Sequence, residues 1–327
     1  MTYLIIAILL LLLELLYFRI ADKFDIIDKP NQRSSHTYIT LRGGGIIFLL
    51  GMWIYSFFYG IQYPYFLLGL TIIAGVSFID DVHSVPNKVR LFIQFVAMFL
   101  LFHEWGILTL SSWWMMLIAL VVCVGVINAY NFMDGINGIT GAYSLAVLLP
   151  LWILNKSINF IDANLLIVAS ISILIFLIFN FRKRAKCFAG DVGAVGIAFI
   201  LLFAIGSLII KTRDLSYIFL LTIYGVDTIL TIIHRILLHE NIGVAHRKHA
   251  YQLMANELKM PHVVVSSIYM VLQLLISAGL IWFPWNSWIY CISVTLVMTI
   301  VYVLFMKRYY YLHVAYLKNK DIEKFFV

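Results

Sequence analysis

In "NAYNFMDGINGITG" (residues 128–141), Asn128, Asn131 and Asp134 recur every third residue. A helix continuing through this point places their amide and carboxylate groups on one face. Asn137 adds an amide, while Gly135, Gly138 and Gly141 allow a tight turn or close packing. Such groups at the edge of an apolar run are costly unless a ligand, water or partner satisfies them. The adjacent acids Asp80 and Asp81 of "FIDD" make a similar demand, because repulsion and desolvation both oppose two neighbouring carboxylates without a cation. Asp191 of "AGDVGAVG" is a further acid set among glycines. Magnesium bound together with substrate phosphates would supply the missing cation. The structural alternatives are a hydrated helix-end cap at Asp80 and Asp81, a helix-start cap at Asp191, and an asparagine network at a helix junction.

Basic residues sit in two other loops. Arg33, His36 and Arg42 precede three consecutive glycines, Gly43 to Gly45; arginine offers a rigid fork of donors for phosphate, and glycine lets backbone approach a ligand closely. Snorkelling charges at helix ends give the same pattern. In "HENIGVAHRKHAYQLM", His246 and His249 are three apart and meet on one helical face, which suits zinc if further ligands are near. No third ligand is evident, and Arg247 and Lys248 repel a divalent cation and attract a polyanion, so phosphate or pyrophosphate is the expected partner of this loop.

The elements that carry these residues are apolar. Of 327 residues, 63% are hydrophobic and 12% charged, whereas a soluble domain is nearer half apolar and about a quarter charged. Hydropathy places spans near 3–20, 44–61, 64–79, 91–107, 112–130, 141–155, 163–180, 193–210, 216–234, 262–283 and 286–306. The expected fold is an all-α polytopic integral membrane protein of 10 or 11 transmembrane helices, forming one domain over residues 1–327. The first run lacks a basic leader and contains Glu14, so it is expected to remain as a helix. Loops near 21–43, 80–90, 181–192 and 235–261, with the tail after Met306, hold nineteen of the 23 Lys and Arg. The positive-inside rule then predicts a cytoplasmic C-terminus, an external N-terminus, and polar loops, 131–140 included, on the cytoplasmic side. The net charge of +7 is accounted for by these loops and predicts no nucleic-acid partner. Cys123, Cys187 and Cys291 offer neither disulfide nor metal spacing. The aromatic tail "KRYYYLHVAYLKNK" reads as an interfacial anchor.

Acids for a divalent metal, bases for phosphates and glycines for close approach thus gather at one surface. A transporter or flippase for a lipid-linked or anionic solute would set its polar groups along a path across the bilayer. The gathering predicts phosphoryl transfer between a water-soluble nucleotide compound and a lipid phosphate, with magnesium neutralising the pyrophosphate.

The motifs, in their order along the chain, closely resemble those of the polyprenyl-phosphate N-acetylhexosamine-1-phosphate transferases, a family that includes phospho-N-acetylmuramoyl-pentapeptide transferase. "RSSHTYITLRGGG" is similar to the family's first cytoplasmic motif, which implies that Arg33, His36 and Arg42 serve the nucleotide and phosphates. "FIDD" resembles the aspartate pair, implying catalytic or acceptor-phosphate roles for Asp80 and Asp81. "NAYNFMDGINGITG" resembles the segment placing Asn128, Asn131 and Asp134 beside nucleotide and sugar phosphate, and "AGDVGAVG" the one whose aspartate, here Asp191, binds Mg2+, with Mn2+ as a substitute. "AHRKHAYQ" resembles the histidine loop, implying pyrophosphate or sugar recognition by His246, Arg247 and His249. Two departures stand out: Asn137 where many members have Asp, and His-x-x-His in place of His-x-His-His. They lean the resemblance toward the branch that initiates O-antigen, capsule or teichoic acid.

The implied reaction takes a UDP-N-acetylhexosamine, UDP-GlcNAc or a deoxy relative such as UDP-FucNAc, and undecaprenyl phosphate of the inner leaflet to undecaprenyl-pyrophosphoryl sugar and UMP. Because the acceptor phosphate is ionised near neutral pH, direct attack is expected ahead of an aspartyl-phosphate route. The resemblance places the protein in the bacterial cytoplasmic (inner) membrane, with a homodimer as a further association to test.

Overall fold

The computed structural model describes residues 1–30, 35, 38–108, 113–244, 246–283 and 286–324. Every expected apolar run is helical: α1 (Thr2–Lys23), α2 (Ile46–Tyr59), α3 (Pro64–Val82), α4 (Asn87–Glu104), α5 (Trp113–Met133), α6 (Ile139–Ile158), α7 (Ala163–Asn180), α8 (Gly190–Thr212), α9 (Thr222–Leu237), α11 (His262–Trp282) and α12 (Ser287–Lys324). A short turn, α10 (Ala250–Gln252), lies between α9 and α11. The fold is all-α; its only sheet among the described residues pairs two-residue strands, β1 (Ile27–Asp28) and β2 (Thr40–Leu41).

Among the described residues, nine helices are long and apolar enough to cross a membrane. The two expected spans outside that group differ for stated reasons. With 14 residues, α2 reaches only about 21 Å at about 1.5 Å per residue, short of a hydrocarbon core of about 30 Å. The 18 residues of α4 include Lys88, Arg90 and Glu104, and its two cations sit at the site end.

The centre is α8. It is apolar on all sides and is buried almost continuously from Val192 to Leu208, as expected for a helix with no polar face. Around it pack α2, α3, α5 and α6; α6 in turn packs on α7 and α11, and α3 on α4. Small residues set the closest approach: a Cβ on Gly45 would lie 2.2 Å from the Gly193 Cα, so the N-termini of α2 and α8 touch through backbone. The outer helices present Leu4, Ile8, Leu12, Ile289, Ile292 and Leu296 outward, the apolar surface that lipid rather than water covers.

Consecutive helices alternate in direction, so α1, α3, α5 and α7 finish where α2, α4, α6 and α8 begin. Loop 24–45 is stitched to loop 181–189 at that end. Phe188 N donates to Leu41 O at 2.8 Å, Gly44 N to Phe188 O at 2.8 Å and Gly45 N to Ala189 O at 3.0 Å. That stitching carries Arg42 to the start of α8.

Candidate active site

Three acids converge on two arginines. Arg42 Nε lies 2.7 Å from Asp81 Oδ1, and its other nitrogen 3.3 Å from Asp191 Oδ1. Arg90 spans Asp80 Oδ2 at 2.8 Å and Asp191 Oδ2 at 2.7 Å. The N-terminus of α8 completes the frame, since Asp191 N and Val192 N donate to the two oxygens of Asp81 at 2.9 and 3.0 Å, a helix start holding a carboxylate. Gly190 has φ +71° and a Cβ there would sit 2.5 Å from Asp81 Oδ2, so both the left-handed backbone and the close approach require glycine. Asp80 also accepts from Val85 N at 2.6 Å, which pins the turn that reverses the chain at Pro86 and returns Arg90 to the acids.

The asparagine segment splits between two tasks. Asn131, with its amide oriented to satisfy both neighbours, donates to Asp191 Oδ1 at 3.2 Å and accepts from Arg90 at 3.0 Å. Asn128 donates to Gln94 Oε1 and Val124 O at 2.9 and 2.8 Å, tying α5 to α4. Asp134 accepts from Thr140 Oγ1 at 2.6 Å; burial, outweighing that hydrogen bond and reinforced by Asp191 and Asp81, pushes its carboxyl up to about 7. Asn137 is buried, and its Nδ2 donates to Arg182 O at 2.9 Å and Lys183 O at 3.4 Å. Its Oδ1 has no hydrogen-bond partner among the described residues.

The histidine loop lies on the other side of Arg90. His249 Nδ1 is 3.3 Å from Asp227 Oδ1, and the same carboxylate accepts from Ala250 N at 3.0 Å and Tyr269 Oη at 2.6 Å. His249 Nε2 and His246 Nδ1 are buried without partners among the described residues. Burial, together with His249, Arg235 and Lys248, pushes His246 down to about 3, so its ring is neutral near pH 7. Arg247 is committed to Glu257 at 2.9 Å, and Lys248 to Glu240.

Two cavities meet at this network. One of about 300 Å³ is lined by polar groups including Arg42, Asn131, Asp134, Asn137 and Asp191. The other, of about 510 Å³, is lined by Arg90, Asn131, His246 and His249 but also by Leu91, Phe132, Ile242 and Val244. Asn131 borders both.

The sequence-predicted residues thus separate. Arg42, Asp80, Asp81, Asn131, Asp134 and Asp191 are brought together, with Asn137 on the first cavity and Asn128, His246 and His249 on the second. Arg247 lines neither cavity. Arg33 and His36 lie outside the described residues. Sequence reasoning missed Arg90, which its α4 position disguised as an orientation charge; the signal available was the Pro86 turn, which folds residue 90 back on residue 80. Two further acids lie within apolar helices: Asp227 of α9 anchors the histidine loop, and Glu14 of α1 is buried near Cys187, whose Sγ is 3.7 Å from its Oε1.

For a divalent cation the donor set is suitable: hard carboxylate oxygens, three acids sharing two arginines, and hence an excess of one negative charge when all are ionised, with the Asp134 carboxyl beside them. Among the described residues no three His, Cys, Asp or Glu already stand at ligand spacing, so metal binding requires an arginine to give up a carboxylate.

Residues 63–210 match glycosyl transferase family 4. The chain is 27% identical over 207 residues to phospho-N-acetylmuramoyl-pentapeptide-transferase of Thermotoga maritima, covering 58% of this chain and 66% of that one. It is 28% identical over 260 residues, 72% of each chain, to the Bacillus subtilis protein named "probable undecaprenyl-phosphate N-acetylglucosaminyl 1-phosphate transferase". It is also 28% identical over 204 residues to undecaprenyl-phosphate alpha-N-acetylglucosaminyl 1-phosphate transferase of Escherichia coli, covering 55% of this chain and 54% of that one. The matched stretches therefore span between 54% and 72% of these three relatives. The region matching glycosyl transferase family 4 contains Asp80, Asp81, Arg90, Asn128, Asn131, Asp134, Asn137 and Asp191, whereas Arg42 and the histidine loop lie outside it.

Proposed function

We propose that this protein is a magnesium-dependent transferase that moves N-acetylhexosamine 1-phosphate from a UDP-sugar to undecaprenyl phosphate. The observation that carries the reading is the placement of Arg90, Asn131 and Asp191 between a polar cavity and a partly apolar one. The polar cavity suits the nucleotide sugar, and the one edged by Leu91, Phe132, Ile242 and Val244 suits a phosphate on a lipid chain. The names of the Bacillus subtilis and Escherichia coli relatives support the acceptor class and the group transferred.

In this reading an oxygen of the acceptor phosphate attacks the sugar-bearing phosphorus of the donor. The bond to the bridging oxygen breaks, and UMP leaves with that oxygen. No strong base is needed for an acceptor phosphate already ionised near neutral pH. Arg42 and Arg90 exchange carboxylates for phosphate oxygens, a bidentate contact that also orients the reacting groups. The exchange frees Asp191, with Asp81 beside it, to hold Mg2+, which would supply neutralisation of charge on the pyrophosphate. Asp80, held by Val85 N and Arg90, positions the acceptor, and Asp134 and Asn137 line the donor side. The active site faces the cytoplasm in a bacterial inner membrane, the donor is UDP-GlcNAc or UDP-FucNAc, and the product starts an O-antigen, capsule or teichoic acid chain.

Purified protein given undecaprenyl phosphate, Mg2+ and a panel of UDP-sugars should release UMP with an N-acetylhexosamine donor and stop when EDTA is added. Absence of UMP with every acetamido sugar overturns the transferase reading; turnover undiminished by EDTA overturns the metal.

A further inference from the structure

The sequence predicts a last span ending near residue 306, yet α12 continues as 38 residues of helix. At about 1.5 Å per residue that is about 57 Å, well beyond a hydrocarbon core of about 30 Å. Its distal part is not idle. Tyr310, His313 and Tyr316 recur every third residue, and each packs on the histidine-loop side of the site end. His313 is buried, its Nδ1 2.9 Å from Glu257 Oε1. The same oxygen accepts from Arg247 at 2.9 Å. The Arg247 guanidinium lies 4.6 Å from the centre of the Tyr316 ring, and Lys248 Nζ 5.9 Å from that of Tyr310. A small apolar cluster of Ala250, Leu253, Tyr302 and Met306 seals the contact from below.

The loop is therefore sandwiched. His246 and His249 face the cavity that contains Arg90 and Asn131, while Arg247 and Lys248, between them in sequence, turn the opposite way to acids and rings. A charge pair as enclosed as Arg247–Glu257, with side-chain exposures of 12% and 4%, depends on additional hydrogen bonds to be held there; His313 supplies a second donor to Glu257 Oε1, while Oε2 is buried with no partner among the described residues.

We propose that the protruding end of α12 positions the histidine loop: Glu257 and His313 form a clasp which, through Arg247, sets where His246 and His249 present their free ring nitrogens. None of the three clasp residues lines either cavity, so they are positioning residues. The kinetic part of this inference rests on the transferase reading; the structural part does not. Displacement of a reacting geometry by about 1 Å costs about 100-fold in rate, so a loosened loop registers in turnover even where folding is intact.

The test compares His313→Phe, which removes the donor to Glu257, with His313→Gln, which keeps one. Three quantities are read in detergent: amide hydrogen exchange across 246–257, kcat and KM for UMP release, and the thermal midpoint. His313→Phe should speed exchange across that segment and lower kcat/KM about 10-fold or more at temperatures below its midpoint, which falls with the lost bond to a buried carboxylate, and His313→Gln should restore all three. Should His313→Phe fail to fold, Tyr316→Ala at a more exposed position should give the same pattern in weaker form. Unchanged exchange and kcat/KM in the folded variants, or failure of Gln to restore them, overturns the clasp. Failure of the transferase reading looks different: no version, the unaltered protein included, releases UMP, while the exchange comparison still decides the clasp.

Discussion

Asn137 is the residue at which the chain departs from the aspartate common at that position in the family it resembles, and its surroundings explain the amide. Nδ2 donates to the carbonyls of Arg182 and Lys183; a carboxylate there faces two acceptors and has nothing to donate. Leaving a buried acceptor unsatisfied costs about 1–3 kcal/mol, more for a charged group. Asn137→Asp should therefore lower the thermal midpoint at pH 8, with the loss shrinking at pH 5 as the new carboxyl takes up a proton and becomes a donor. A midpoint equal to that of the unaltered protein at pH 8 would show that the amide's hydrogen bonds are dispensable. Asp134 gives a second pH signature. Its carboxyl is raised from 3.8 to about 7 by burial first, then by Asp191 and Asp81. Between those values the folded chain holds a proton that the unfolded chain releases, so stability falls as pH rises through the window. Asp134→Asn removes the effect, and the difference in midpoint between variant and unaltered protein should move in the variant's favour from pH 5 to pH 8. A pH-independent difference contradicts the raised carboxyl. These residues were legible because acids and amides in an apolar chain are conspicuous. Arg90 was not, because an arginine near a helix end has an ordinary task in orientation and only the folded turn reveals its second one.

The elements place the site through backbone approach, which a sequence signals only as glycine. At Gly45 the neighbouring atoms are backbone, with the Gly193 Cα 2.2 Å and Ala189 O 2.8 Å from an added Cβ, so nothing can swing aside. Gly45→Ala should force α2 from α8, destabilise by about 1–3 kcal/mol and carry Arg42 away from Asp191. The measurement is UMP release beside the thermal midpoint, with Gly75→Ala, where an added Cβ meets nothing within 4 Å, as the neutral comparison. Equal behaviour of the two variants contradicts the tight α2–α8 contact. The apolar runs announced the helices. The two-residue strands, the stitching of loop 24–45 to loop 181–189 and the length of α12 were hidden, because each depends on contacts between segments far apart in sequence.

At the scale of the whole molecule, alternation of helix direction gathers the carboxylates, arginines and histidines at one end of an apolar bundle. The positive-inside rule predicts a cytoplasmic location for that end; on this proposal a phosphatase fused after Val327 should be silent and a fluorescent protein fused there bright, and the reverse pattern contradicts the orientation. The central claim is chemical: the sugar leaves the nucleotide together with one phosphate. UDP-GlcNAc labelled in the sugar-bearing phosphate tests it most directly, with undecaprenyl phosphate as acceptor and Mg2+ present. The account predicts label in the butanol-extractable lipid, mole for mole with unlabelled UMP. Label retained in UDP, or sugar reaching the lipid without it, would contradict phosphosugar transfer.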